Sequence, residues 1–456
     1  MTAPAHPRTA RAVRPAVHPL RLLLVVLLGL AALAGVVAPS AAAAPARAQA
    51  GDEVCEDRRL LVLSLPTLAW ADLGLAEMPN LRGLLAESAV GGMSVRGVSR
   101  WTTTGDGYAT VGAGARARGT GESGLAFQRG ETYEGADAAE VFALRTGVEP
   151  AGDEVFFLGL PSVISRNERL PFDAEVGLLG DTLDAAGVDR AVIANADHQV
   201  SLLERDVQRG AAVALMGSDG LVPRGAVSDQ ILVEDPDVPF GERLDQEAVL
   251  EAFDRSWSPG SVVLVEGSDL LRYDQFRDQA TEEQAERLQV QTLESTDALV
   301  GRLLERVDPS CDAVLVLDAS HSSKATHGTV AAVRAPEVAP GWLRSPSTRR
   351  LGFVNIVDVA PTVLDLMGLE RAPGMEGRAY EYVASDAGLD SRVTFLVDAN
   401  RDAKFRDGLV GVVSLWYVLL QILLSGLAGV ALSGRGHRRL RRVVVVSALG
   451  LQGYLV

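Results

Sequence analysis

The stretch EEQAERLQVQTLESTDALVGRLLERVDPSCDAVLVL, residues 282–317, contains a helix pattern followed by a strand pattern. Leucines recur along Glu282–Val307 at helical spacing, which predicts an amphipathic helix. The run that follows, Ala313–Leu317, is short and continuously apolar, which is typical of a strand buried on both faces. A helix that returns the chain to a buried strand is the repeating unit of a parallel sheet covered by helices.

The same alternation extends over most of the chain. Helix patterns such as Leu178–Ala186, which ends at Gly187, separate further short apolar runs. These predicted strands are Leu60–Leu63, Val155–Leu158, Ala191–Ala194, Ala212–Met216 and Val262–Val265. We therefore predict an α/β fold with a mainly parallel sheet between helices. Ligands bind such sheets beyond the carboxyl ends of the strands. The segments in question are residues 64–72, 195–198, 266–274 and 318–327.

Both ends of the chain have membrane character. Residues 1–50 contain five arginines, no acidic residue and a long apolar run, which predicts a signal peptide or an N-terminal signal anchor. Residues 409–433 carry no charge over 25 positions, which is long enough for a transmembrane helix. We expect the charged segment 398–408 to be a juxtamembrane linker. We expect residues 434–442 to be a basic cytoplasmic loop and residues 443–456 to be the truncated start of a second transmembrane helix.

The positive-inside rule places both basic ends in the cytoplasm and residues 51–397 outside it, as an extracytoplasmic domain. Ten of the 43 basic residues lie in the terminal segments and no acidic residue does, so residues 51–408 combine 33 basic with 59 acidic residues, a formal charge of −26. This charge excludes nucleic acid as a partner. We expect a multi-pass plasma-membrane protein whose partners are the lipid bilayer and an envelope ligand or protein.

The two cysteines of the chain, Cys55 and Cys311, both fall in the extracytoplasmic domain, where a disulfide persists. Each precedes a predicted strand by a few residues, so neighbouring strands would bring them together. A bridge would close a loop of about 256 residues and contribute roughly 5 kcal/mol at most. The disulfide is the favoured interpretation, and two unpaired buried thiols are the alternative.

Three further stretches resemble the alkaline phosphatase-like superfamily, which includes sulfatases, phosphodiesterases and cofactor-independent phosphoglycerate mutases. NIVDVAPTVLDLMGL (Asn355–Leu369) is similar to its signature of an Asp, an Ala-Pro-Thr and a Leu-rich helix. HGTVAAVRAPEVAPG (His327–Gly341) is similar to the stretch in which a metal-binding His precedes a strand. RWTTTGDGYATVGAG (Arg100–Gly114) is similar to the loop and helix start that carry the nucleophilic Thr or Ser. The resemblance implies an alkaline phosphatase-like sandwich followed by transmembrane helices.

The resemblance also implies a site. Thr104 takes the position of the nucleophile, with Thr103 and Asp106 as further catalytic candidates, at a helix N-terminus that would face a phosphoryl oxygen. His327 is the leading metal-ligand candidate. The other candidates are His321, Asp269, Asp274 and Asp318. Their oxygen and imidazole groups suit one divalent cation, zinc or manganese.

The sequence departs from the family pattern at the strand ends that normally supply metal ligands. LSLPTLAW (Leu63–Trp70) has no carboxylate where the first ligand follows strand one. The family's Asp-His-Gly is replaced by Ser320–Ser322 or, in the other alignment, by Asp318–Ser320, and Tyr273 or Asp274 replaces another His. Two-metal catalysis is therefore hard to assemble.

Three functions follow from these observations. We predict a cell-envelope integral membrane protein whose catalytically degenerate domain binds a ligand or a protein partner. The first alternative is an active metal-dependent phosphate-ester hydrolase or phospho-group transferase that uses Thr104. Related membrane-anchored members of the superfamily move phospho-groups onto lipids or envelope polymers. The second alternative is an accessory ectodomain of a polytopic transport protein.

Overall fold

The structure, a computed structural model, describes residues 55, 57–99, 101–201, 204–320 and 328–432. The strands are β1 Leu60–Ser64, β2 Ala89–Ser94, β3 Ala126–Phe127, β4 Thr132–Tyr133, β5 Ala136–Asp137, β6 Val155–Phe157, β7 Arg190–Ile193, β8 His198–Ser201, β9 Glu204–Asp206, β10 Leu221–Val222, β11 Arg224–Ala226, β12 Leu232–Glu234, β13 Glu242–Leu244, β14 Val262–Glu266, β15 Ala313–Leu317, β16 Thr329–Arg334, β17 Gly341–Arg344, β18 Phe353–Asn355 and β19 Glu381–Ala384.

The helices are α1 Pro79–Ala86, α2 Thr104–Ala113, α3 Ala138–Thr146, α4 Leu160–Asn167, α5 Leu178–Ala185, α6 Ala212–Leu215, α7 Gln246–Ser256, α8 Ser268–Phe276, α9 Glu282–Leu304, α10 Val359–Leu366 and α11 Leu389–Leu432. Short 3₁₀ turns lie at Trp70–Gly74, Asp229–Ile231, Pro239–Gly241, Arg277–Gln279 and Ile356–Asp358.

The central sheet confirms the predicted α/β class. Its order is β11-β7-β14-β1-β15-β16-β2-β17-β19, with β18 also paired to β2. Every pairing among β11, β7, β14, β1 and β15 is parallel, and β16 and β19 run in the opposite direction. In β1, Leu60 and Val62 pack into one apolar cluster while Leu61 and Leu63 pack into another. The sheet is therefore covered by side chains from helices on both faces.

Two of the predicted strands are not part of the central sheet. Val155–Phe157 is a strand, but it belongs to a small antiparallel sheet, β10-β6-β3. The strand predicted at Ala212–Met216 is wrong, because Ala212–Leu215 is the helix α6. This segment is buried on all sides, so it has no polar face to reveal a helical period, and its two alanines favour a helix over a strand.

The C-terminal helix α11 is continuous through residues 398–408, the segment predicted as a linker. Its first turns are part of the domain, since the buried guanidinium of Arg392 donates to the backbone carbonyls of Ala86, Ser88 and Gly341 at 2.7–3.0 Å. Among the described residues, one helical segment, Leu389–Gly429, is long and apolar enough to cross a membrane. The predicted signal segment 1–50 and the segments 434–442 and 443–456 lie outside the described residues.

Cys55 and Cys311 form a disulfide with their Cα atoms 5.7 Å apart. Cys55 lies before β1 and Cys311 before β15, and these two strands are parallel neighbours in the sheet. Next to the bridge, the guanidinium of Arg59 donates to the buried carboxylate of Asp312 at 2.6 and 2.9 Å. The bridge and this ion pair hold together the amino ends of the two central strands.

Helix α2 packs directly on the end of β15. A Cβ atom on Gly107 would lie 1.6 Å from the carbonyl oxygen of Ala319, so the helix could not approach so closely with any side chain at this position. Gly112 lies about one and a half turns later in the helix. A Cβ atom on Gly112 would lie 2.5 Å from the carbonyl oxygen of Val213 in α6. These two glycines fix the position of α2 over the sheet.

We expect Gly107→Ala to lower the free energy of unfolding by about 3 kcal/mol or more, because its methyl group would overlap a backbone carbonyl. The matched control is Gly83→Ala in α1, where a Cβ meets nothing within 4 Å. That variant should be neutral or up to about 1 kcal/mol more stable. Urea unfolding of the full chain in detergent measures both. Equal stabilities of the two variants would contradict the close packing of α2.

Candidate functional site

A cavity of about 740 Å³ opens at the carboxyl edge of the central sheet. Its walls come from the segments after β1, β14 and β15, from the start of α2 and from residues 118–124. The residues with polar or charged side chains that line it include Thr67, Thr103, Thr104, Asp106, Arg118, Arg166, Asp274 and Ser320. The cavity thus lies at the edge where ligands of parallel sheets are expected to bind.

All three predicted catalytic residues line this cavity, at the N-terminus of α2. Thr103 and Asp106 form a capping box, in which each side chain accepts a hydrogen bond from the backbone N–H of the other, at 3.1 and 3.3 Å. The Asp106 carboxylate also accepts from the backbone N–H of Gly119 at 2.9 Å. Thr104 is the first residue of the helix. Thr103 and Asp106 therefore position the helix end and the adjoining loop, and Thr104 is left to face the cavity.

The mouth of the cavity combines a helix N-terminus with two guanidinium groups. The Arg118 Nε atom lies 3.9 Å from a carboxylate oxygen of Asp106. Arg166 is an exposed residue of α4 on the same cavity. The helix end and these two side chains contribute positive charge to the cavity, whose lining also contains the carboxylates of Asp106 and Asp274. Such an arrangement suits an oxyanion such as a phosphate.

Thr67 and Asp318 form a strained floor to the site. Thr67 has a positive φ of 68°, which is unusual for a β-branched residue. Its backbone N–H is hydrogen-bonded to the buried carboxyl of Asp318, which also accepts from the backbone N–H of Ser320 at 3.0 Å. Burial raises the pKa of Asp318 well above its ordinary value, and the charge of Asp274 raises it further. One carboxyl oxygen of Asp318, Oδ2, has no hydrogen-bond partner in the described part of the chain.

The predicted metal ligands do not all come together. Asp274 lines the cavity and Asp318 lies beneath it, but Asp269 is not a lining residue. Its carboxylate accepts from the guanidinium of Arg272 at 2.7 Å and from the backbone N–H of Leu244 at 3.0 Å. His321 and His327 lie outside the described residues. Within the ranges that the structure describes, no group of three or more His, Cys, Asp or Glu residues is placed to hold a metal ion.

A buried chain of hydrogen bonds crosses the sheet ends beside Asp318. The hydroxyl of Tyr108 lies 2.7 Å from the Ser64 hydroxyl and donates to a carboxyl oxygen of Glu266 at 2.5 Å. The other oxygen of Glu266 accepts from the Ser268 hydroxyl at 2.6 Å. Burial raises the pKa of Glu266, and burial with the charge of Glu266 raises that of Tyr108. The side chains at the ends of β1 and β14 are therefore fully engaged with one another.

Sequence reasoning missed Glu266 and gave Tyr108 no polar role. The available signal was a single carboxylate at the end of an otherwise apolar strand, in the pattern VVLVE at Val262–Glu266. A lone acid at that position is usually a turn or helix-cap residue, so the sequence pattern does not show that it is buried. The partner contributed by α2 becomes visible only when the helix is placed on the sheet.

No protein-family model matches the chain, and a comparison with curated proteins finds no match. Solved structures of the alkaline phosphatase superfamily are similar to it. A member from Vibrio parahaemolyticus is 14% identical over 71% of this chain and 70% of that chain, with a TM-score of 0.41. The lipoteichoic acid synthase of Listeria monocytogenes is 11% identical over 78% and 93% of the two chains, with a TM-score of 0.40.

An integral membrane protein, the lipooligosaccharide phosphoethanolamine transferase of Neisseria meningitidis, is 10% identical over 70% of this chain and 56% of that chain, with a TM-score of 0.38. These likenesses concern the fold alone.

Glu266→Gln should change how stability depends on pH. The pKa of Glu266 is raised in the folded state, so above the ordinary glutamate pKa of about 4.3 the folded state binds more protons than the unfolded chain. Its contribution to stability is complete at low pH and is lost as the pH rises through the raised pKa. Glutamine cannot ionise and keeps hydrogen-bonding groups for Tyr108 and Ser268. The unfolding free energy of the variant, minus that of the parent, should therefore be more positive at pH 8 than at pH 4.

Urea unfolding of the full chain in detergent at both pH values tests this. The control is Glu294→Gln at an exposed position of α9. Its difference from the parent should be the same at pH 4 and pH 8. A difference for Glu266→Gln that does not change with pH would show that this carboxyl is not buried as described.

Proposed function

We propose that this chain is a membrane-anchored extracytoplasmic protein that binds a phosphate ester or a similar oxyanion in the cavity at the start of α2, without hydrolysing it. The observation that carries the proposal is the hydrogen-bonded chain of Ser64, Tyr108, Glu266 and Ser268. It engages the ends of β1 and β14, just before the segments where the resemblance to the alkaline phosphatase-like superfamily places metal ligands.

The side chains that could act as metal ligands explain why we favour binding over metal-dependent catalysis. Pro66 and Thr67 stand where the resemblance places the first carboxylate, and the Ser64 hydroxyl at the end of β1 is hydrogen-bonded to Tyr108. Both carboxyl oxygens of Glu266 accept hydrogen bonds from protein hydroxyls. Among the described residues, Asp274 and Asp318 are the predicted ligands that remain at the cavity. These two carboxylates alone are fewer than the four ligands of a typical zinc site, and the predicted ligands His321 and His327 lie outside the described residues.

The remaining features of the cavity favour an anionic ligand. The N-terminus of α2 offers backbone N–H groups, and Arg118 and Arg166 offer side chains that pair with two oxygens of a phosphate. Hydroxyl groups of Thr104 and Ser320 add neutral donors to the cavity lining. An ester fits better than a small ion, because a cavity of about 740 Å³ holds far more than one phosphate group.

The proposal includes the location of the protein in the cell envelope. Helix α11 provides an apolar span, and the disulfide between Cys55 and Cys311 is typical of an oxidising compartment. Together with the basic ends of the sequence, these features favour an envelope protein of a plasma membrane, with its domain outside and the second transmembrane helix still a prediction.

Catalysis by Thr104 is the second candidate function. The observation in its favour is that Thr104 begins α2, lines the cavity and has Arg118 on the same wall. In that case the Thr104 hydroxyl would attack the phosphorus of a bound ester and displace its alcohol. Such an attack needs a base to take up the hydroxyl proton, or a cation to make the hydroxyl more acidic, and the carboxylate of Asp106 on the same turn of helix is engaged in the capping box.

Phosphate binding tests the first function. We expect isothermal titration of the full chain in detergent with inorganic phosphate to show one site. Arg118→Gln and Arg166→Gln should each weaken it about tenfold, since one charge-assisted contact is lost. The control is Arg169→Gln on the same surface, whose side chain bonds Ser165 and does not line the cavity. Equal affinity of all four proteins would remove the cavity as the binding site.

A hydrolysis assay separates the two functions. We expect the full chain to cleave bis-(p-nitrophenyl) phosphate no faster than its Thr104→Ala variant, with zinc or manganese supplied. The variant should still bind inorganic phosphate, because the arginines and the helix end remain. Turnover that is present in the parent and lost in Thr104→Ala would replace the binding function with the catalytic one.

A further inference from the structure

A second cavity, of about 550 Å³, lies between the sheet edge and helix α11, and it has no lining residue in common with the first. One wall comes from β2 and β18, through residues such as Gly92 and Asn355. The other wall is the part of α11 between Phe395 and Arg406. Nothing in the proposed oxyanion site uses this cavity, so it is a separate feature of the molecule.

The course of α11 places this cavity close to the bilayer. Arg392 contacts the carbonyl of Ser88, just before β2 begins, and Leu396 packs beside Gly92 in the middle of that strand. Further along, Asn400 accepts from the backbone N–H of Gly328 at 3.3 Å. The helix therefore runs in the direction of β2 and leaves the domain at the carboxyl edge of the sheet. The apolar segment that follows enters the membrane from this edge.

Two charged residues of the cavity lie within the layer of lipid headgroups or just beyond it. An α-helix rises about 1.5 Å per residue, so Arg406 lies roughly 5 Å, and Asp402 roughly 11 Å, above Leu409, where the uncharged run begins. The headgroup layer extends about 5–8 Å beyond the hydrocarbon on each side of a bilayer. Arg406 thus falls within this layer and Asp402 just outside it.

These two side chains carry opposite charges on one helix face, one turn apart. Both line the cavity, and neither has a hydrogen-bond or ion-pair partner among the residues that the structure describes. Other charges of the same wall are engaged, because Asp398 is paired with Arg401 at 3.0 Å. Arg350, on the opposite wall, is stacked over the ring of Phe353 at 4.4 Å. The cavity therefore presents one cation close to the membrane and one anion above it.

We propose that this cavity binds the headgroup of a zwitterionic phospholipid of the surrounding bilayer, with the phosphate at Arg406 and the ammonium group at Asp402. The order of the two charges matches such a headgroup, whose phosphate lies nearer the acyl chains than its amine. An anionic headgroup without an amine would meet the carboxylate of Asp402 with no compensating charge. The rings of Phe353 and Phe395, 6.2 Å apart, close the cavity above.

Native mass spectrometry tests the proposal. The full chain in detergent is presented with dioleoylphosphatidylethanolamine or with dioleoylphosphatidylglycerol, which share their acyl chains, and retained lipid is counted. We expect the ethanolamine lipid to be retained about fivefold better, as suits one partly exposed ion pair. Asp402→Asn should abolish this preference, and Arg406→Gln should reduce the retention of both lipids.

The matched control is Lys404→Gln, on the same helix but outside the cavity lining, which should behave like the parent. All three positions are exposed, so the variants should keep the fold. Equal or better retention of the glycerol lipid by the parent would overturn the proposal. Retention that is the same in all variants would also overturn it, since it would indicate lipids held only by the apolar span.

Discussion

The carboxyl group of Glu266 is buried at the centre of the sheet edge, and its burial constrains everything around the cavity. A buried carboxylate needs hydrogen-bond donors that water can no longer supply. Two hydroxyls provide them, from Tyr108 on α2 and Ser268 on α8. For the Tyr108 hydroxyl to reach Glu266, α2 must lie directly on the sheet. The absence of a side chain at Gly107 makes this contact possible. Packing and electrostatics therefore depend on each other at this point.

The burial of Glu266 also explains the form of the cavity at the start of α2. Once α2 is fixed on the end of β15, its first turn projects past the sheet edge, and the capping box of Thr103 and Asp106 defines that turn. Asp106 also fixes the next loop, because its carboxylate accepts a hydrogen bond from the backbone N–H of Gly119. The same contacts that satisfy a buried network thus leave the helix end, Thr104 and the nearby arginines open to a ligand. The loop at the start of α2 can therefore keep the shape of an anion-binding site, although the strand ends beside it carry the hydrogen-bond network of Glu266.

The sequence alone predicts the sheet but only part of the site. Continuous apolar runs such as Ala313–Leu317 identify buried strands, because burial on both faces removes polar residues from them. The same logic fails at Ala212–Leu215, where burial on all sides hides the helical period. The residues at the start of α2 could be predicted from their resemblance to a known loop. Glu266, Arg118 and Arg166 could not, because what they contact depends on elements far apart in sequence.

Helix α11 connects the domain rigidly to the apolar segment. Arg392 satisfies three backbone carbonyls inside the domain, and a charged side chain buried in this way is costly to extract. The helix continues without a break into its apolar segment, so the domain cannot rotate freely about a flexible linker. The carboxyl edge of the sheet, which carries both cavities, is therefore the edge from which the apolar segment leaves the domain. In the membrane-anchored arrangement proposed above, a ligand of the cavity at the start of α2 would approach through the layer between the domain and the membrane, where the local lipid composition determines which charged groups it meets first.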